Sequence, residues 1–160
     1  LLAIGARNNS ENGNGAGAVY IFASGSNGYQ QVQKLTASND PDGSPELDEF
    51  SVPSFSSDGS VLAISARNDE QDGGSGAVFD GAGAVYMFHS GSNGYQQVQK
   101  LTSSFNTDGS SEDPGPIDLF GYQYGVFGDD GKTFIVGAIS NSENGTGAGA
   151  VYVFKYTRDY

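Results

Sequence analysis

The chain has 160 residues, among them 25 glycines and no cysteine, and its 19 acidic against seven basic side chains give a formal net charge of −12. Neither a disulfide framework nor a thiolate metal site is available to it, and its negative field argues against nucleic acid or an anionic membrane as partner, since both present phosphate. With 36% hydrophobic residues, including 10 Phe and nine Tyr, it can bury a core, so glycine marks turns and close packing rather than disorder.

Leu1 to Ala6 reads as an apolar strand that is already the middle of a fold and too short for a signal peptide. A glycine-rich loop leads to a second strand at Ala18 to Phe22, and a tight turn at Ser24 to Gly28 leads to a third, Gln-rich strand at Tyr29 to Thr36. The next stretch supplies four strands: Phe50 to Phe55, Ser60 to Ala66, Ala84 to Phe88 and Tyr95 to Thr102. The last stretch supplies three, at Phe120 to Phe127, Thr133 to Ala138 and Ala150 to Phe154. No apolar run approaches the roughly 18 residues of a membrane helix, so direct membrane insertion is not expected.

The elements repeat. Gly25 to Thr36 recurs without change at Gly91 to Thr102, an offset of 66. The strand Gly-Ala-Val-Tyr-hydrophobic-Phe appears three times, placing Tyr20, Tyr86 and Tyr152 at spacings of 66 and 66. Self-similarity at this period indicates repeated units that bury their faces by stacking on neighbours. The second and third strands of the middle unit, as in Leu62-Ala63-Ile64, are apolar on both faces, whereas the fourth is mostly Gln and Lys and belongs at a solvated edge. The fold class expected is therefore all-β: a β-propeller segment of four-stranded antiparallel blades, one complete blade flanked by two partial ones. Its parts are 1–49, 50–119 and 120–160, all within one propeller domain, with further blades expected elsewhere in a longer chain because the end faces are apolar.

These residues resemble the FG-GAP repeat of integrin α-subunit propellers, and more closely the bacterial and algal type with an S-x-D-G turn. Phe120-Gly121 stands for the FG, with Phe50-Ser51 as a degenerate copy, and Gly137-Ala138-Ile139 stands for a GAP without its proline. The resemblance implies adhesion, scaffolding or protein binding, outside the cell or on its surface, or in an organelle lumen. It also carries a calcium expectation. The turns that would hold the ion keep only Asp58 and Asp130 at the matching positions, too few oxygens for a calcium shell, so both are expected to form turns instead.

In an up-and-down meander, alternate loops emerge at opposite ends. The long loops share one end, and fifteen of the 19 acids fall on them. Asp40, Asp42, Glu46, Asp48, Asp69, Glu70, Asp72, Asp80, Asp113 and Asp118 are the candidate binding residues, forming a face that would attract a protein partner with a basic surface. Solvated loop carboxylates that simply keep a glycine-rich chain soluble are the plainer reading. The densest clusters for calcium are Asp69, Glu70 and Asp72 with Asp80, and Asp40 and Asp42 with Glu46 and Asp48, although neither matches an EF-hand or nonapeptide calcium motif; Asp69, Asp72 and Asp80 are the candidate ligands. Asn8 and Asn144 head N-x-S/T sequons on the same loops and are candidate glycosylation sites.

No enzyme is expected. His89 is the only histidine, and its counterparts in the other copies are Ala23 and Lys155, so it reads as a surface residue. Nucleophile elbow, phosphate loop and HExxH are all missing from the sequence. A structural subunit of a larger assembly is the alternative to a binding module. A carbohydrate-binding propeller would need exposed loop aromatics, for which only Phe79 and Phe105 qualify.

Overall fold

The computed structural model describes residues 1–37, 48–69, 81–103 and 118–156. Among the described residues there are ten strands and no helix. The first sheet has the order β1 (Leu2–Ala6), β2 (Ala18–Gly25), β3 (Gly28–Leu35), and the second the order β4 (Phe50–Phe55), β5 (Val61–Ala66), β6 (Ala84–Gly91), β7 (Gly94–Leu101). The third runs β8 (Val126–Phe127), β9 (Thr133–Ala138), β10 (Ala150–Lys155). Every neighbouring pair is antiparallel, so each sheet is a simple meander.

Side chains alternate across a strand, and the registers therefore sort each sheet into two faces. In the middle sheet Leu62 lies opposite Phe88 and Ile64 opposite Tyr86, which defines one face; Ala63 opposite Met87 defines the other. The first face packs on Val19, Ile21 and Leu35 of the first sheet. The second packs on Phe134 and Val136 of the third, with Tyr152 and Phe154 against them. All six residues of β5 are buried, as its apolar character on both faces requires. Aromatic edges brace one face of a sheet at each seam, with Phe50 5.4 Å from Tyr86 within the middle sheet and Phe120 5.3 Å from Tyr152 within the third, between ring centroids.

The three sheets form a stack that does not close on itself. Its two outer faces stay apolar: Leu2 and Ile4 are exposed at one end, Ile135, Val151 and Val153 at the other. Glycine sets the spacing at the seams. Gly17 and Gly83 both have φ in the left-handed range, 86° and 83°. A Cβ on Gly83 would lie 2.1 Å from the Phe120 carbonyl oxygen, and one on Gly17 would lie 2.4 Å from that of Phe50. Only glycine lets the loop backbone approach the next sheet so closely.

The Phe120 to Phe127 strand expected from the sequence is not continuous. Phe120 bridges Ala138, the chain then leaves the sheet, and only Val126–Phe127 pairs again with β9. The register shows why. The corresponding stretch of β4 takes five steps, Phe50 to Phe55, to span Ala66 to Leu62, whereas the third sheet takes seven to span Ala138 to Phe134. The surplus is absorbed by a turn closed by Tyr122 N–H to Leu119 O at 3.0 Å, with Gly121 in the left-handed region.

Candidate binding end of the sheet stack

The β1–β2, β5–β6 and β9–β10 loops and the segments entering β4 and β8 meet at one end, joined by backbone hydrogen bonds. Phe50 N–H donates to Ala16 O at 3.0 Å, Asn68 N–H to Asp48 O at 3.3 Å and Phe120 N–H to Ala82 O at 2.8 Å. The β1–β2 and β9–β10 loops share the sequence Asn-Ser-Glu-Asn-Gly and one hydrogen-bond pattern. Gly15 N–H donates to Ser10 Oγ and Gly147 N–H to Ser142 Oγ, both at 3.1 Å. Gly17 N–H donates to Asn9 O at 3.0 Å and Gly149 N–H to Asn141 O at 2.9 Å. Two copies of one ordered loop therefore stand at this end. The repeated Asn-Ser-Glu-Asn-Gly is the sequence signal of this pairing, which net charge by itself does not reveal.

Beneath the loops, each sheet contains a polar post. The tyrosine of strands β2, β6 and β10 points its hydroxyl at the third residue after the preceding strand, which is Asn9, Asp69 or Asn141. A buried tyrosine hydroxyl needs such a partner. In the middle sheet Tyr86 Oη donates to Asp69 Oδ2 at 2.6 Å. Lys100 Nζ lies 2.7 Å from Asp69 Oδ1 and 5.2 Å from the Tyr86 ring centroid, and the Asp69 side chain is fully buried. In the first sheet Asn9 Nδ2 donates to Tyr20 Oη at 3.2 Å, and Lys34 Nζ donates to Asn9 Oδ1 at 3.3 Å. Lys34 also pairs with Glu11, and that hydrogen bond is the chief reason its ammonium is held above the ordinary lysine pKa. In the third sheet Asn141 Nδ2 donates to Tyr152 Oη at 3.4 Å and to Asp118 Oδ2 at 3.2 Å; Ser103 Oγ donates to the same carboxylate oxygen at 3.1 Å.

Burial at this end changes the status of three candidate binding residues. Asp48, Asp69 and Asp118 are 1%, 0% and 5% exposed. Asp69 and Asp118 are held by internal donors, because a buried carboxylate must be paired or hydrogen-bonded. None of the three presents its carboxylate at the surface. Glu49, which pairs with Arg67 and stands 3.7 Å from Arg7, is likewise buried. Glu11 and Glu143 are the exposed acids of this end among the described residues. Asp40, Asp42, Glu46, Glu70, Asp72, Asp80 and Asp113 lie outside the described residues, as do Phe79 and Phe105.

For the calcium cluster, Asp69 is already occupied by a hydroxyl donor and an ammonium group, and a cation 2.7 Å away opposes a second cation. Its proposed companions Asp72 and Asp80 lie outside the described residues. Among the described residues no three His, Cys, Asp or Glu side chains converge as metal ligands. Asn8 and Asn144, the two sequon residues, are exposed on the β1–β2 and β9–β10 loops. His89 is half-buried, with Tyr156 Oη 3.2 Å from its Nδ1 and the rings 4.8 Å apart.

The opposite end consists of short turns. Asp58 Oδ1 accepts from Ser60 N–H at 2.9 Å, and Asp130 Oδ1 accepts from Lys132 N–H at 2.9 Å and Thr133 N–H at 2.8 Å. Gly59 and Gly131 follow with φ of 69° and 62°. Both aspartates thus organise turns. The Thr133 hydroxyl, followed by the two amides, holds the Asp130 carboxyl down at about 2. No protein-family model matches the sequence, and no curated protein matches it significantly.

Proposed function

We propose that the chain is part of a β-propeller of FG-GAP-like repeats and works as a non-catalytic protein-binding module, with the long-loop end as its recognition face. The observation that carries this reading is the paired, hydrogen-bonded Asn-Ser-Glu-Asn-Gly loop, which displays Glu11 and Glu143 from a rigid sheet stack. Loops held by a scaffold are the usual seat of binding, and they sit here in a chain of net charge −12. A partner with a basic surface suits such an end, and calcium is a second cation that the remaining loop acids could attract. Extracellular or cell-surface placement accords with exposed sequons at Asn8 and Asn144.

The test is a titration of the isotope-labelled protein with a decalysine peptide, followed by amide chemical shifts. Shifts should concentrate in residues 7–17 and 139–149 and fade as salt rises. Shifts spread equally over the turns at 56–60 and 128–132 would refute a recognition face at this end.

A second reading, a structural piece of a larger assembly, draws on the apolar outer faces. Each seam joins one kind of face to the other, and the exposed faces of the first and third sheets are one of each kind. Further blades of the same type would cover them, by contacts insensitive to salt.

A further inference from the structure

Because the sheets repeat one another, a contact made across one seam can be sought across the next. Gln33 on β3 crosses the first seam. Its Nε2 donates to Tyr95 O and its Oε1 accepts from Tyr95 N–H, both at 2.8 Å. One side-chain amide thus reads the backbone of a strand as a neighbouring strand would. Tyr95 is sealed beneath it, 4% exposed, with its ring 5.9 Å from Phe55 and its hydroxyl donating to Gly59 O.

Gln99 is the equivalent residue of β7. It lies opposite Met87 just as Gln33 lies opposite Ile21, and so projects toward the third sheet. Unlike Gln33 it is exposed, and it borders a groove walled by Val98, Phe154, Lys155 and Tyr156. Across that groove β10 is the outer strand of its sheet among the described residues. The end of β10 stands in the right register: Tyr156 N–H donates to Lys132 O at 2.8 Å, as Ser90 N–H, where β6 still pairs with β7, donates to Ser60 O at 2.9 Å. Phe127 occupies the position that Phe55 holds beneath Tyr95.

We propose that the groove between β7 and β10 is a docking site for one extended segment of the β3 and β7 type, a Gln-rich strand led by tyrosine. The segment adds to the β10 edge through backbone hydrogen bonds, Gln99 grips the backbone of its tyrosine, and Phe127 receives the ring. Strand addition of this kind draws affinity from the main chain and specificity from alternate side chains. The site rests on the equivalence of the sheets and not on the acidic loops, so its failure leaves the recognition face at the other end untouched.

The experiment is fluorescence anisotropy of a labelled dodecapeptide with the sequence of residues 91–102, titrated with the 160-residue protein. Saturable binding is expected, weakened at least tenfold by Gln99→Ala, weakened similarly when the peptide's tyrosine is replaced by alanine, and unchanged by Gln33→Ala. Circular dichroism of each variant shows that it is folded, and Gln99→Glu serves as the second probe should Gln99→Ala not fold. No binding to the native protein would overturn the proposal. Equal binding of a scrambled peptide, or indifference to both Gln99 variants, would overturn it too.

Discussion

The middle sheet and its two neighbours solve one problem with different chemistry. All three hold a tyrosine hydroxyl at the same place, fully buried only in the middle sheet, which meets it with a carboxylate where the flanking sheets use an amide: Asp69 against Asn9 and Asn141. Asn9 is half-buried and Asn141 takes a second acceptor in Asp118, so a neutral partner suffices in each. Asp69 is fully enclosed, and among the described residues Lys100 is the cation that balances it at close range. The lysine is the same in the first two sheets: beside the amide of Asn9, Lys34 takes its countercharge from Glu11, whereas beside Asp69 Lys100 takes it from the post itself.

The largest expected effect comes from breaking that pair. Lys100→Met should leave Asp69 as an uncompensated buried charge and destabilise the fold by about 4 kcal/mol in urea or thermal unfolding. Adding Asp69→Asn should recover all but about 1 kcal/mol, because the buried site then holds no charge and meets the Tyr86 hydroxyl with an amide, as Asn9 and Asn141 meet theirs. A double variant no more stable than the single one would show that the middle sheet needs the charge itself.

Next comes a comparison of glycines. Gly83 and Gly149 are equivalent and share the left-handed backbone, but a Cβ on Gly83 would collide with the Phe120 carbonyl oxygen at 2.1 Å. A Cβ on Gly149 would find nothing nearer than 3.5 Å, since among the described residues no further sheet lies against it. Gly83→Ala should cost about 3 kcal/mol, combining overpacking with backbone strain, and Gly149→Ala about 1 kcal/mol, from φ alone. Equal costs by thermal unfolding would mean that the seam can give way. If another sheet covers the outer face in a larger assembly, Gly149→Ala should additionally weaken that association.

Most of the architecture was legible because the repeat is close to exact. Ten strands, three meanders and the buried character of β5 and β6 all follow from alternation and from the 66-residue period. What misled was the third repeat's first strand, where Phe120 to Phe127 carries two more residues than the matching stretch of β4; that surplus shows only once β9 fixes the pairing. The loop acids were legible as charge but not as structure. Asp69 and Asp118 look like any other loop carboxylates until the fold brings Lys100, Ser103 and Asn141 to them from elsewhere in the chain. Sequence spacing says which end a loop occupies, and long-range pairing decides whether its side chains face out or in.

The smallest expected effect concerns the opposite end, where Asp130 holds a turn of the third sheet and Asp58 the matching turn of the second. Hydrogen bonds from the Thr133 hydroxyl and the Lys132 and Thr133 amides lower the Asp130 pKa from 3.8 to about 2. A depressed carboxylate contributes its full stabilisation above the ordinary pKa and loses it as pH falls through the folded value. The turn should therefore be intact at pH 4 and let go near pH 2. Amide shifts of Lys132 and Thr133 followed by NMR should titrate together near pH 2, and Asp130→Asn should abolish the transition. A midpoint near 4 would mean that the three donors do not favour the charged form, and the third sheet would then be less tightly closed at this end than its hydrogen bonds indicate.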